Sequence, residues 1–244
     1  MQTSSPIVIG LLLSILPLLA QENTASLTGT VQYPLGARLA HAYAELRSEQ
    51  PAGNLLLAEA DNSGVYTFSA LAPGTYVLSL IGSGFTRLSV KSIDISGGEQ
   101  KVMPPVTLSV AVMGDCGSHA PLDSLRLLPG ENRGGNLRGT VLLNKRQKSG
   151  QRSLLANVAI TLICASGSIC GTTATDSVGE FVFVDLAAET YTVHASRAGL
   201  YPFNEPGYKA QTGFEATYYP MYAERCSRGD CVPKRRPKKP IACE

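Results

Sequence analysis

One stretch of this chain occurs twice. Residues 61–80 read DNSGVYTFSALAPGTYVLSL and residues 176–195 read DSVGEFVFVDLAAETYTVHA, with seven of the twenty aligned positions identical. The shared residues are the Asp, the Gly, the second aromatic, the Leu, the Ala, the Thr and the Tyr. These types turn and pack a chain; they are not a set of groups that makes or breaks bonds. Each copy opens on a turn in which Asp bonds nearby backbone and Gly takes positive φ without steric cost. Asp61 and Asp176 are therefore expected as turn caps rather than calcium ligands, because each loop supplies too few acids for a site of six or more oxygens. Tyr66 and Phe68 then alternate with Val65, Thr67 and Ser69, the period of a half-buried strand. Ala72-Pro73-Gly74 signals a second turn, and Tyr76, Leu78 and Leu80 form the next same-face row. The pattern predicts two strands joined as a hairpin. Phe181, Phe183, Leu186, Tyr191 and Val193 fill the matching places in the second copy, where Ala188-Glu189 replaces Pro73-Gly74 and predicts a looser turn.

Around each copy, turn residues recur about every ten residues between short alternating runs, as an antiparallel sandwich requires. The runs are 26–32, 40–47, 55–60, 88–95, 106–110 and 158–164. The reading is all-β: two tandem immunoglobulin-like, antiparallel β-sandwiches. One spans 26–110 and the other 136–222. Residues 111–135 between them are rich in Gly and Pro and read as a linker, with 122–128 the one candidate for an ordered piece. The Leu-x-Pro-Gly-x-Tyr spacing also matches the tyrosine corner of such sandwiches, whose Tyr hydroxyl bonds backbone just upstream.

Gly29-Thr30-Val31, the run from Asp61 to Tyr76 and Gly84-Phe85 together resemble the carboxypeptidase regulatory-like domain, a relative of prealbumin-like and starch-binding-like sandwiches. Gly139-Thr140-Val141, the run from Asp176 to Tyr191 and Gly199-Leu200 repeat the resemblance, with Leu in place of Phe. The resemblance implies a prealbumin-like fold and a non-catalytic accessory role, with carbohydrate as one ligand class. It does not imply a peptidase.

Residues 1–20 read as a signal peptide. The apolar run 7–20 is shorter than a spanning helix needs, and it ends on Ala20. No later run is long and apolar enough to span a bilayer, so the mature chain is expected to be secreted, or periplasmic and part of a bacterial cell envelope. The six cysteines of an exported chain invite disulfides. Short closure favours Cys164–Cys170 and Cys226–Cys231, which leaves Cys116 with Cys243. The tail, 223–244, holds seven Lys and Arg against three acids, a local net charge of +4 in a chain of +2. Pro233, Pro237 and Pro240 keep it extended, and an anionic surface is its expected contact. Nucleic acid is not expected for an exported chain.

No metallopeptidase, nucleophile-elbow or phosphate-loop motif surrounds His41, His119, His194 or any Ser or Cys. No catalytic, cofactor or metal residue is named, and the chain is not expected to be an enzyme. The candidate contact surface is the Tyr-rich stretch 201–222, above all Tyr208, Tyr218, Tyr219 and Tyr222, since Tyr offers a flat apolar face with a polar tip. Two roles remain open. One is a binding module for polysaccharide or an envelope protein; the other is a structural spacer or assembly subunit of an envelope complex.

Overall fold

The computed structural model describes residues 24–49, 55–110, 122–130, 134–146, 152–218, 220–226 and 231. The chain is all-β and builds two sandwiches. The first uses β1 (Ala25–Gln32), β2 (Tyr43–Ser48), β3 (Leu55–Glu59), β4 (Val65–Leu71), β5 (Gly74–Ile81), β6 (Leu88–Ile95), β7 (Gln100–Val102) and β8 (Val106–Thr107). After β9 (Leu122–Leu127) comes the second. It uses β10 (Gly135–Arg146), β11 (Arg152–Leu154), β12 (Ala159–Ile163), β13 (Ile169–Ala174), β14 (Glu180–Leu186), β15 (Thr190–Ser196), β16 (Phe203–Lys209), β17 (Phe214–Tyr218) and β18 (Met221–Ala223).

Apart from β11, the two halves repeat strand for strand. In the first, β1 runs between β4, antiparallel, and β7, parallel, and the facing layer is ordered β3-β2-β5-β6. In the second, β10 runs between β14 and β17, and the facing layer is ordered β13-β12-β15-β16. Period-two burial sets the faces: β1 hides Ala25, Leu27, Gly29 and Val31, and β5 hides Tyr76, Leu78 and Leu80. The sheets are mixed, because β7 and β8 lie parallel to β1 just as β17 and β18 lie parallel to β10.

The expected hairpin in the repeated stretch does not form. β4 pairs with β1, whereas β5 pairs with β2 and β6, so the Ala72-Pro73-Gly74 turn carries the chain from one sheet to the other. Both rows of aromatics point into the core from opposite layers, and a tight turn satisfies either arrangement. A tyrosine corner fixes the crossing. The Tyr76 hydroxyl donates to the Ala72 carbonyl at 2.7 Å, and the Tyr191 hydroxyl donates to the Ala187 carbonyl at 3.0 Å. The bond survives the exchange of Pro-Gly for Ala-Glu, so the hydroxyl rather than the turn residues defines the corner.

The repeated turn and glycine have equally direct roles. Asp61 Oδ1 accepts from the amides of Ser63 and Val65 at 2.8 and 3.0 Å, and Asp176 Oδ1 accepts from Val178 and Glu180 at 2.9 Å each. Gly29 faces Tyr66 across the β1–β4 ladder, and Gly139 faces Phe181 across β10–β14. A Cβ on either glycine would overlap the ring, so each ring fills the space its glycine leaves.

Within the expected linker, Leu122–Leu127 forms a paired strand. β9 pairs in parallel with β6, setting Val90 beside Leu125, and antiparallel with β17, setting Phe214 beside Leu127. One layer of each sandwich thereby joins a single sheet that runs from β11 through β10, β17, β9, β6, β5 and β2 to β3. Leu125 is fully buried at this seam. Beside it the Gln211 side chain acts as a short strand: its Oε1 accepts from the Thr107 amide at 2.9 Å, and its Nε2 donates to the Thr107 carbonyl at 3.4 Å. Lys209 Nζ reaches the Pro34 carbonyl at 3.5 Å, and Gly213 leaves room for the Pro104 ring. The expected signal segment 1–20, Cys116, Tyr219, Cys243 and most of the basic tail lie outside the described residues.

One buried hydroxyl lacks a partner. Tyr66 is 1% exposed, its Oη makes no hydrogen bond, and burial pushes its ionisation well above the ordinary tyrosine range. The equivalent Phe181 has no such group. Tyr66→Phe is expected to raise unfolding free energy by about 1 kcal/mol, and Tyr76→Phe to lower it by about 1 kcal/mol through loss of the corner bond. Urea denaturation of the two variants against wild type checks both signs.

Candidate functional site

The four tyrosines expected to contact a ligand have different fates. Tyr208 and Tyr218 are core residues, 1% and 3% exposed. Their rings pack with centroids 4.5 Å apart, because β16 and β17 place them on facing inner rows. The Tyr208 hydroxyl donates to Glu205 Oε2 at 3.1 Å. The Tyr218 hydroxyl donates to the Lys209 carbonyl at 2.9 Å and accepts from the Lys209 amide, closing the end of β16. Neither can meet a ligand, which corrects the expectation for this pair. Their residue type gave no warning: a Tyr whose hydroxyl finds backbone is as content inside a sandwich as on its surface.

Tyr222 alone of the described three is exposed, at 44%. It projects from β18 on the outer face, opposite Leu142 of β10. The Arg152 guanidinium, delivered by β11 on the other side of β10, lies 4.2 Å above its ring. Arg152 Nε is buried without a hydrogen-bond partner, and the ring face is a contact that suits a partly desolvated cation. Two residues along, Asn144 Nδ2 donates to Glu224 Oε1 at 3.2 Å. Leu143, Asn144, Ala223, Glu224 and Arg225 line an open cleft of about 310 Å³. Arg152, Asn144 and Glu224 were not legible in the sequence as site residues, since 70 positions separate Arg152 from Tyr222 and only the β11–β10–β18 order unites them.

The cleft is lined by hydrogen-bonding groups and the Arg225 guanidinium, with Tyr222 next in the chain to its lining, but it holds no nucleophile–base pair. Elsewhere among the described residues, titratable side chains sit in exposed pairs: His41 Nδ1 lies 2.7 Å from Glu59 Oε1, and Arg87 pairs with Glu45 at 3.2 Å. Arg138 of β10 joins Glu180 of β14 and Glu215 of β17, at 3.1 Å each, in a three-strand brace across the outer face. Both acids hold its guanidinium above even the usual arginine range. His194 faces outward beside Asn204, with Nδ1 2.7 Å from Oδ1.

The disulfides Cys164–Cys170 and Cys226–Cys231 are present, with Cα–Cα distances of 5.7 and 5.0 Å. The first closes the β12–β13 hairpin. Glu189 lies close enough to its sulfurs to complete a three-donor cluster, but sulfurs joined to each other are not thiolate ligands. No helix among the described residues is long and apolar enough to cross a membrane.

No protein-family model matches the chain, and no curated protein matches it either. Solved structures of similar shape include the Bacillus anthracis TIE protein, at 17% identity and TM-score 0.32, covering 83% of this chain and 34% of that one. The chain thus spans about a third of that protein's length. The minor pilin GBS52 of Streptococcus agalactiae aligns at 13% identity and TM-score 0.29, over 86% of this chain and all of that one. The shaft pilin SpaA of Lactobacillus rhamnosus GG aligns at 9% identity and TM-score 0.29, over 84% of this chain and 98% of that one. At these identities and scores, the functional argument is left to the chain's own geometry.

Burial raises the ionisation of Tyr66, Tyr208 and Tyr218 above the ordinary value near 10. A raised folded pKa adds stability that is complete below the unfolded value and is lost as pH climbs past it, since only the unfolded chain then releases the proton. Stability is therefore expected to be flat up to about pH 9 and to fall above about pH 10, by up to ~1.4 kcal/mol per pH unit for each of the three groups. Tyrosinate absorbance followed with circular dichroism checks this: the last tyrosines should ionise only as the fold is lost.

Proposed function

We propose that the chain is a non-enzymatic structural unit of the cell exterior, a rigid spacer or assembly subunit of an envelope complex. In this reading 26–110 and 136–222 are two carboxypeptidase regulatory-like units, and 111–135 supplies a strand in place of a free hinge. The observation that carries it is the β6–β9–β17 seam. A binding module on a tether gains from mobility, whereas a spacer has to hold its two ends at a fixed distance and angle. Backbone pairing on both sides of β9, with the Gln211–Thr107 pair beside it, supports the second requirement. The two disulfides suit an oxidising, extracytoplasmic compartment. The basic tail, 223–244, would then hold the unit against an anionic surface through a salt-sensitive attraction.

Carbohydrate binding is the second reading, favoured by the exposed Tyr222 beside the cleft. It ranks lower because Arg152 covers one face of that ring, and sugar stacking needs an open face.

Gln211→Ala leaves the buried Thr107 amide without its acceptor, and the expected cost is about 1–3 kcal/mol. Calorimetry should show the single transition of the native chain separating toward two, one for each sandwich. For the function itself, cross-linking on intact cells followed by envelope fractionation is expected to trap the chain on an envelope protein. That adduct should persist in Tyr222→Ala and be lost when β9 is broken by Leu125→Pro. Selective glycan-array binding abolished by Tyr222→Ala, with no protein adduct, would replace this reading with the second.

A further inference from the structure

β3 is the end of the long sheet, and among the described residues its outer edge has no strand beside it. It carries Leu55, Leu56 and Leu57 in succession, 43%, 37% and 68% exposed, followed by Ala58. Neither Lys nor Pro interrupts them, although those are the residues that usually blunt an edge. The edges of the facing layer in the second sandwich lack such a leucine run: β13 reads Ile-Cys-Gly-Thr-Thr-Ala, and β16 contains Pro206, which has no amide to offer. Where the chain does leave an edge bare, at β6 and β17, it fills it by adding a strand.

We propose that β3 is a self-association surface, and that its occupant is β3 of a second copy of this chain, antiparallel across a two-fold axis centred on Leu57. In that register the apolar residues of β3 meet at the centre of the contact. Leu57 meets Leu57 of the second copy, Leu56 meets its Ala58, and Leu55 meets its Glu59. On the adjoining β2, Arg47 is opposite Leu55 and Tyr43 is opposite Glu59. One outer-face row therefore reads Arg47, Leu55, then Glu59 and Tyr43 of the second copy, and the axis repeats it in reverse. Arg47 is exposed and has no ion-pair partner among the described residues. Two strand spacings set it about 10 Å, Cα to Cα, from Glu59 of the second copy, within reach of two long side chains laid across Leu55. A two-fold contact of this kind is closed: it hides both apolar edges and leaves none to recruit a third copy. The inference goes beyond the spacer reading, since it concerns the purified chain and needs no envelope partner.

Sedimentation equilibrium of the exported full-length protein tests it, with Leu57→Lys as the disrupting variant. Leu57 is mostly exposed, so the substitution should leave the monomer folded, with an unchanged circular-dichroism spectrum, while converting a dimer to a monomer and removing any concentration dependence of the thermal midpoint. Register is read by a short bis-maleimide linker. Leu57→Cys should cross-link with itself, and Leu55→Cys should cross-link with Glu59→Cys in a mixture but not with itself. A wild-type monomer up to its solubility limit, an open-ended oligomer, or cross-links centred on any residue other than Leu57 would overturn the proposal.

Discussion

A single added strand makes one body of two sandwiches. β9 contributes backbone hydrogen bonds on both sides, in parallel to β6 and antiparallel to β17, and buries Leu125 between them. Without it both neighbours would be bare edges, the usual sites of unwanted pairing. Strand insertion thus solves two problems: it covers those edges and couples the units. The Gln211 amide extends the coupling by mimicking a peptide group opposite Thr107, and both residues are nearly inaccessible to water. An amide pair in that setting is favourable when complete and costly when halved, which makes the seam specific as well as stable.

Within each sandwich the same few contacts recur. A cross-strand ring lies over a glycine, an aspartate caps the turn before β4 or β14, and a tyrosine hydroxyl holds the crossing to β5 or β15. Even the backbone irregularities match. Ala70 and Asp185 share a left-handed φ of 56°, each just before the Leu that ends its strand. The departures are informative too. Tyr66 keeps a hydroxyl with no partner where Phe181 has none, a cost that the rest of the first core must absorb. The second sandwich, in contrast, adds the Arg138 brace and the Cys164–Cys170 staple.

Much of this was legible in the residues because it is local. Asp61, Gly64 and the alternating aromatics declare a turn and a strand within a dozen positions, and the Tyr76 spacing declares a corner. The errors arose where local pattern meets global pairing. The Pro73-Gly74 turn suits a hairpin and a sheet crossing equally, and only the partners of β4 and β5 decide between them. β9 reads only as a candidate ordered piece inside a linker, because its flanks are Gly and Pro; its pairing comes from strands some 30 residues before it and 90 after. Tyr208 and Tyr218 read as surface platforms because nothing nearby shows that each ring is the other's neighbour. The Arg152–Tyr222 stack is hidden for the same reason, since both residues reach it from opposite sides of β10.

The coupling of the two sandwiches depends on β9 being an integral strand. Native-state amide hydrogen exchange measures this directly, since stably paired amides open only with the unit that holds them. The amides of Ser124 to Leu127 should be protected to the same degree as those of β6 and β17, and should exchange together with them at the free energy of global unfolding. Exchange of β9 at the rate of an unstructured peptide, while β6 and β17 stay protected, would show two sandwiches on a free tether and contradict the account.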